Sequence, residues 1–370
     1  MGKWEYPRRG PRKADDLRVD YARNYLENHA VLEYFDAINP DTPEALEEAK
    51  DKLSPLLRHS PSPSNLVSVG VGSGEEMQAA ISMYQGSSIV VHGLDISPSA
   101  VGLSHRHLAK YGLSAIVTEG SAINMPYPPG SIDIFVLSAI MHEIYSYVPD
   151  GRQAWVQAIR EVADKTSPGG VLLLRDFAAP DYDGPVRLVF RSRIASDFYD
   201  YFSREFRAFS AADQGMREAM LDQRSGSDSY LPALISGRAE IELPASAAAE
   251  VMLHFKNFSD HVNRGFTFLG DQSWKEVNEA YLPPDPYAVG FYPMPQSEYV
   301  SRAESVMATT LRTGPYSMIC VENGRSARPK HAAFLAQHFV VSYPNSTLRS
   351  EDVIADFTCK MELVFRKVSP

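Results

Sequence analysis

An α/β fold with a parallel, doubly wound sheet covered by helices on both faces is predicted by three features of the sequence. Five short apolar runs between Leu66 and Phe177 alternate with amphipathic segments, the pattern of strands joined by crossover helices. The first run passes directly into a glycine-rich turn, Gly70-Val-Gly72-Ser-Gly74. The second ends on an acid, Asp95, about twenty residues after those glycines.

Residues 1–64 are expected to be helical, because Tyr21, Tyr25 and Leu26, then Val31, Leu32, Tyr34 and Phe35, recur at helical spacing among polar positions. The Ser-Pro-Ser-Pro run at residues 60–63 closes that segment, since its prolines break helices and its serines favour turns. Residues 65–177 form the core, with strands predicted at Leu66–Gly70, Ser88–Leu94, Ala115–Thr118, Ile132–Leu137 and Val171–Asp176. A helix over Gln153–Lys165 and a turn at Ser167-Pro-Gly-Gly170 precede the last of these.

Residues 178–330 are too long for a simple connection and read as an inserted substrate cap. Its opening helix carries Phe198, Tyr199, Tyr201, Phe202, Phe206 and Phe209, a stripe that suits either core packing or an apolar wall over a substrate. The proline- and tyrosine-rich run Tyr281–Pro295 reads as extended loop leading into a helix near Gln296. Residues 331–370 supply strands at His338–Tyr343 and Lys360–Arg366, expected to complete a sheet of about seven strands as its final antiparallel pair.

Composition excludes several classes of function. A net charge of −10 over 370 residues is the wrong sign for a chain that neutralises phosphates along a nucleic acid. The basic run Arg8, Arg9, Arg12 and Lys13 reads as a solvated tail. The two cysteines, Cys320 and Cys359, have no ligand-spaced companions, so neither a disulfide framework nor a metal site is expected. Without a run of roughly twenty apolar residues or the apolar segment of a signal peptide, a cytoplasmic location is expected. The expected partner is a small-molecule acceptor, with no nucleic acid and no membrane, and a homodimer is the assembly considered.

The chemistry concentrates where predicted strands end. Glycines in a strand–turn–helix context let the backbone approach a ligand without a Cβ in the way. Asp95 can accept hydrogen bonds from both hydroxyls of a ribose, or it can cap the helix that opens at Ser97-Pro98. Glu119-Gly-Ser-Ala-Ile-Asn124 follows the third strand, Ser138 ends the fourth, and Pro168-Gly-Gly170 precedes the fifth.

This order resembles class I S-adenosylmethionine-dependent methyltransferases, which share a Rossmann-like fold. His142-Glu143-Ile-Tyr145-Ser-Tyr147, with Arg175-Asp176, resembles a bacterial subset of them. The resemblance covers about Leu66 to Phe177 and implies S-adenosyl-L-methionine as cofactor. It places Gly70, Gly72, Gly74, Asp95, Ile96, Ser121, Ala122 and Ser138 at that cofactor. Two positions depart from the family: Ser68 and Ser121 stand where acids are usual, so they form hydrogen bonds without charge assistance.

Methyl transfer from a sulfonium is an in-line displacement, so alignment of the nucleophile is the protein's main task. A carboxylate or histidine within reach can orient a nitrogen or oxygen nucleophile and take its proton. His142, Glu143 and Asp176 are the catalytic candidates, and Tyr145, Tyr147 and Arg175 the substrate-binding ones. The competing accounts are that His142 stacks on the cofactor, that Glu143 caps or salt-bridges locally, that Asp176 forms an internal ion pair with Arg175, and that the tyrosines simply pack. Glu143, Asp176, Asp181 and Asp183 together would make an acidic rim suited to an amine- or guanidine-bearing metabolite. An oxidoreductase using NAD(P) is the first alternative, although its third glycine would fall one position later. A non-catalytic binding protein that keeps the fold is the second, and cofactor-assisted cyclisation the third.

Overall fold

The computed structural model describes residues 42–148, 150–182, 184–205, 240–263, 279–282, 284–287, 293–312, 314–344 and 346–369. The helices expected before residue 42, and Phe206 and Phe209 of the aromatic stripe, lie outside the described residues.

Helix α1 (Pro43–His59) starts where the side chain of Thr42 accepts the amide of Ala45 at 3.1 Å, with Pro43 at the position that tolerates proline. The core then runs β1 (Asn65–Val69), α2 (Glu75–Met83), β2 (Val90–Asp95), α3 (Pro98–Lys110), β3 (Ile116–Glu119), β4 (Ile132–Ser138), α4 (Met141–Tyr147), α5 (Gly151–Lys165) and β5 (Thr166–Phe177). The five strands stand in the order β3-β2-β1-β4-β5, all parallel. Strand order therefore reverses between β1 and β4, and a crevice opens at the carboxyl ends of these two strands.

Alternation along the strands divides the core in two. Leu66, Ile134, Val136, Val171 and Leu173 meet α1 and α2 through Ala49, Leu53, Leu56 and Met77. Val67, Val69, Phe135, Leu137, Leu172 and Leu174 face the opposite way, onto Trp155 and Ile159 of α5. On that face Trp155 donates its indole N–H to the hydroxyl of Tyr299 at 2.9 Å, so a large buried donor is satisfied.

After β5 the chain forms β6 (Pro185–Phe190), α6 (Arg193–Glu205), β7 (Glu240–Pro244), α7 (Ala245–Asn263) and α8 (Gln296–Thr310), then β8 (Ser317–Ser326). Helix α9 (Pro329–His338), β9 (Phe339–Ser342), α10 (Ser350–Thr358) and β10 (Lys360–Val368) follow. The seven-stranded sheet is completed by β10 and then β8, with β10 antiparallel to both of its neighbours.

This corrects the expected final pair. The segment predicted at His338–Tyr343 is β9, which pairs antiparallel with β6 in a separate three-stranded sheet ordered β7-β6-β9. Its Phe339 and Val341 belong to the cap core, whereas the true partner of β10 is β8, drawn from the segment read as cap. As an edge strand, β8 has an apolar run of only four residues, Met318–Val321, and its second half, with Glu322, Asn323 and Arg325, is polar. The turn expected at 167–170 also lies inside β5, where Gly169 takes φ +80° and the register with β4 shifts.

Phe198, Tyr199 and Phe202 of the aromatic stripe are buried in the cap's own core with Phe255 and Phe339. Their part is packing between α6, α7 and the small sheet. Among the described residues no helix is long and apolar enough to cross a membrane.

Candidate active site

The glycine turn after β1 uses the freedom its residues allow. Gly70, Gly72 and Gly74 have φ of +73°, +54° and +95°. A Cβ on Gly70 would stand 2.8 Å from Cδ1 of Ile140, beside the end of β4. Register ties the neighbouring strand ends to this turn: Gly70 donates to the carbonyl of Leu94, Gly120 to Asp95, and Ala139 to Arg175. Gly70, Asp95, the Gly120 turn and Ser138 therefore share the carboxyl edge of the sheet.

Asp95 is buried there. Its Oδ2 accepts the amide of Gly72 at 3.1 Å and its Oδ1 the amide of Ser97 at 2.9 Å. Burial raises its pKa and the loop amides oppose that rise. Helix α3 is capped by the side chain of Ser97, which accepts from Ala100, so the capping alternative for Asp95 does not hold. Each Asp95 oxygen keeps acceptor capacity beyond its amide. Ile96 is exposed, Ser121 bridges to Asn124 and accepts from Ile123 at 3.4 Å, and Ala122 packs on the core beside them.

Beyond β4 the backbone is forced at Ala139, a non-glycine residue at φ +57°. Helix α4 starts just afterwards without a cap of its own, and Asp176, from the end of β5, supplies one. Its Oδ2 accepts the amide of His142 at 3.1 Å, and its Oδ1 lies 2.7 Å from Nδ1 of the same residue. The other ring nitrogen, Nε2, lies 3.4 Å from Oε1 of Glu279. Burial by itself would depress the pKa of His142, but Asp176 and Glu279 more than reverse this and raise it to about 10.

Glu279 is held from the cap. The hydroxyl of Tyr147 donates to its Oε2, and Ser146 accepts the next amide, that of Ala280, at 2.9 Å. Buried Glu250 accepts the amides of Tyr281 at 2.6 Å and Leu282 at 3.0 Å, and lies 2.9 Å from Nε2 of His254. The Tyr281 ring spans the two histidines, 5.3 Å from His142 and 4.6 Å from His254.

Residues 67–174 match the family profile described as a methyltransferase domain. This stretch of the chain is similar to methyltransferase domains. Its solved-structure likenesses are distant. A methyltransferase from Aquifex aeolicus is 19% identical over 41% of this chain and 76% of its own, with a TM-score of 0.33. A Pyrococcus horikoshii protein is 13% identical over 42% and 65%, with a TM-score of 0.31. YcgJ of Bacillus subtilis is 12% identical over 86% and 98%, with a TM-score of 0.39. The alignment thus takes in just under two thirds of the Pyrococcus protein. No curated protein matches the sequence.

The strand-end residues fit S-adenosyl-L-methionine, the cofactor that the resemblance implies. The turn has glycines where a Cβ would obstruct, and the buried Ser73 within it has a hydroxyl without a hydrogen-bond partner among the described residues. The same is true of Ser68 on β1, so the departure from the usual acid leaves a buried polar atom able to meet a ligand.

One expected pairing is replaced by another. Arg175 does not pair with Asp176; it crosses to Glu362 on β10, with Nε and Nη2 at 2.8 and 2.7 Å from Oε1, while Asp176 turns to His142. No acidic rim forms from the described members of the proposed four. Asp176 is fully buried, and Asp181 accepts the amide and hydroxyl of Ser297 at the start of α8. Asp183 lies outside the described residues. Tyr145 packs against the cap core. Glu279, Glu250 and His254 were not found from sequence, because nothing in their spacing ties them to β4 and β5. No metal was expected, yet His142, Glu143 and Glu279 each offer a ligand atom within 4.8 Å of the others and are the residues that could hold a cation.

Proposed function

We propose that the methyltransferase acts on a nitrogen or oxygen of a small, amine- or hydroxyl-bearing metabolite held between the carboxyl ends of β4 and β5 and the cap. The observation that carries this is His142 clamped between Asp176 and Glu279 next to the end of β4. When bound, S-adenosyl-L-methionine supplies an electrophilic methyl group on a sulfonium.

With its pKa raised, the ring of His142 holds its proton at neutral pH, so His142, Asp176 and Glu279 together carry a net negative charge. Such a cluster attracts a cationic amine and orients its N–H, or the O–H of an alcohol, toward Glu279. Glu279 takes the proton of the ammonium before the freed lone pair attacks, or that of the hydroxyl as it attacks, and the methyl–sulfur bond would break with S-adenosylhomocysteine as the leaving group. Asp176 touches neither reactant; it is a positioning residue that fixes the ring and the first turn of α4. Tyr147 positions Glu279 in the same way.

Isothermal titration of the full chain with S-adenosylhomocysteine, beside Asp95→Ala, tests the cofactor half of this assignment. Binding that the variant loses supports it, and absence of binding by the folded wild type overturns it. Incubating amine and hydroxyl libraries with the cofactor, and reading the mass gained by mass spectrometry, then tests the acceptor class.

A further inference from the structure

Beside Phe177, where β5 and β10 pair, the structure gathers several cations. Lys360 stands opposite Phe177 in the register, with its Nζ 4.9 Å from the centre of the Phe177 ring. The guanidinium of Arg328 lies 5.4 Å from the same ring. Arg175 is two residues before Phe177, its side chain 4% exposed, and Glu362 occupies two of its nitrogens. The third, Nη1, is buried with no partner among the described residues.

Helix α9 opens at Arg328 with no side chain capping its first amides, so its positive end lies at the same place. In its first turn His331 is buried, and neither ring nitrogen has a partner among the described residues. The crowding shows in the titration of these groups. Burial, then Arg328 and Arg175, lower Lys360 to about 8, against a raising contribution from Asp176. Burial, then Arg328, Lys256 and Lys360, lower His331 to about 3. Among the nearby carboxylates, Glu362 holds Arg175, and Glu48 holds Lys52 at 2.9 Å.

We propose that Arg175, Arg328, Lys360 and the amino end of α9 bind an oxyanion, a carboxylate or a phosphate, borne by the methyl acceptor. Phe177 separates this group from His142, whose ring centre lies 5.9 Å from that of Phe177. The acceptor is then anchored by its anionic end on the cationic side of Phe177 and offers its nucleophile on the other. The assignment to the acceptor rests on the function proposed above; the oxyanion site itself does not.

The test uses the full chain and its Arg328→Gln and Lys360→Met variants. Thermal unfolding is followed with inorganic phosphate, with succinate and with sodium chloride at equal ionic strength, and each protein is titrated with S-adenosylhomocysteine. The wild type should gain a few degrees with phosphate or succinate beyond the effect of chloride, and the stronger of the two identifies the group. Both variants should lose ~10-fold or more in apparent anion affinity and keep their cofactor affinity. In anion-free buffer Lys360→Met should unfold no earlier than wild type, because it relieves like-charge crowding. An oxyanion response absent from the wild type, or one that survives both substitutions, overturns the proposal. Failure of the wild type to bind S-adenosylhomocysteine while the oxyanion response persists would overturn the methyl-transfer reading alone.

Discussion

His142 and Asp176 are joined twice, through the ring at 2.7 Å and through the backbone amide at 3.1 Å, so one carboxylate sets both the orientation of the histidine ring and the start of its helix. With Nδ1 engaged by Asp176, the ring directs Nε2 toward Glu279. In histidine-labelled protein the His142 ring should stay protonated well above pH 7 by NMR, and Asp176→Asn should lower its midpoint more than Glu279→Gln. A wild-type midpoint near the ordinary 6.5 would mean that the clamp is not formed in solution.

The same clamp gives stability a pH dependence. His142 is raised from 6.5 to about 10, so its contribution is complete below pH 6.5 and is lost as pH rises toward 10. Lys360, lowered from 10.5 to about 8, acts in the opposite sense, its crowding relieved above pH 8. Urea unfolding should therefore show stability falling most steeply between pH 6.5 and 8, by about one to a few kcal/mol. His142→Gln should flatten that decline.

At the glycine turn, Gly70→Ala meets two obstacles: a φ of +73° and a Cβ 2.8 Å from Ile140 Cδ1. The second yields when the flexible end of Ile140 moves; the first does not. Affinity for S-adenosylhomocysteine should fall ~10-fold or more with about 1–2 kcal/mol lost in stability. Adding Ile140→Ala should leave the affinity low. Calorimetric titration of the single and double variants decides this, and full recovery in the double variant would assign the defect to the clash alone.

Glu250 is a structural counterpart to these residues. It accepts two backbone amides and lies against His254 while wholly buried. Glu250→Ala strands those amides and should cost roughly 3 kcal/mol or more in urea unfolding, with Glu250→Gln costing less. Because Glu250 pins the segment that carries Glu279, both variants should also lower the His142 midpoint.

Legibility in the sequence followed burial. Strands β1 to β4 begin and end within one or two residues of expectation; β1 and β4 are almost wholly buried and read as apolar runs, and β3 was read although it is a partly exposed edge strand. Gly70, Asp95 and His142 were readable because their chemistry sits at the ends of those runs. Edge strand β8 was not, since its apolar run stops at Val321 and its second half is polar. Nor was Glu279, whose place beside His142 depends on Ser146 and Glu250 rather than on any local pattern. The ion pair weighed between Arg175 and Asp176 is not formed, since Arg175 meets Glu362, which is adjacent only once β10 pairs with β5.

Strands β8 and β10 lie side by side, yet the chain leaves the sheet between them to build α9, β9 and α10. The small sheet of the cap therefore draws β6 and β7 from one excursion and β9 from another. During synthesis the glycine turn and its strands can assemble early, whereas the lid over them cannot close until Phe339–Ser342 has emerged. A chain cut before Phe339 would lose more than β9: it would also lack β10, the strand that pairs with both β5 and β8, and so leave the main sheet open at β5.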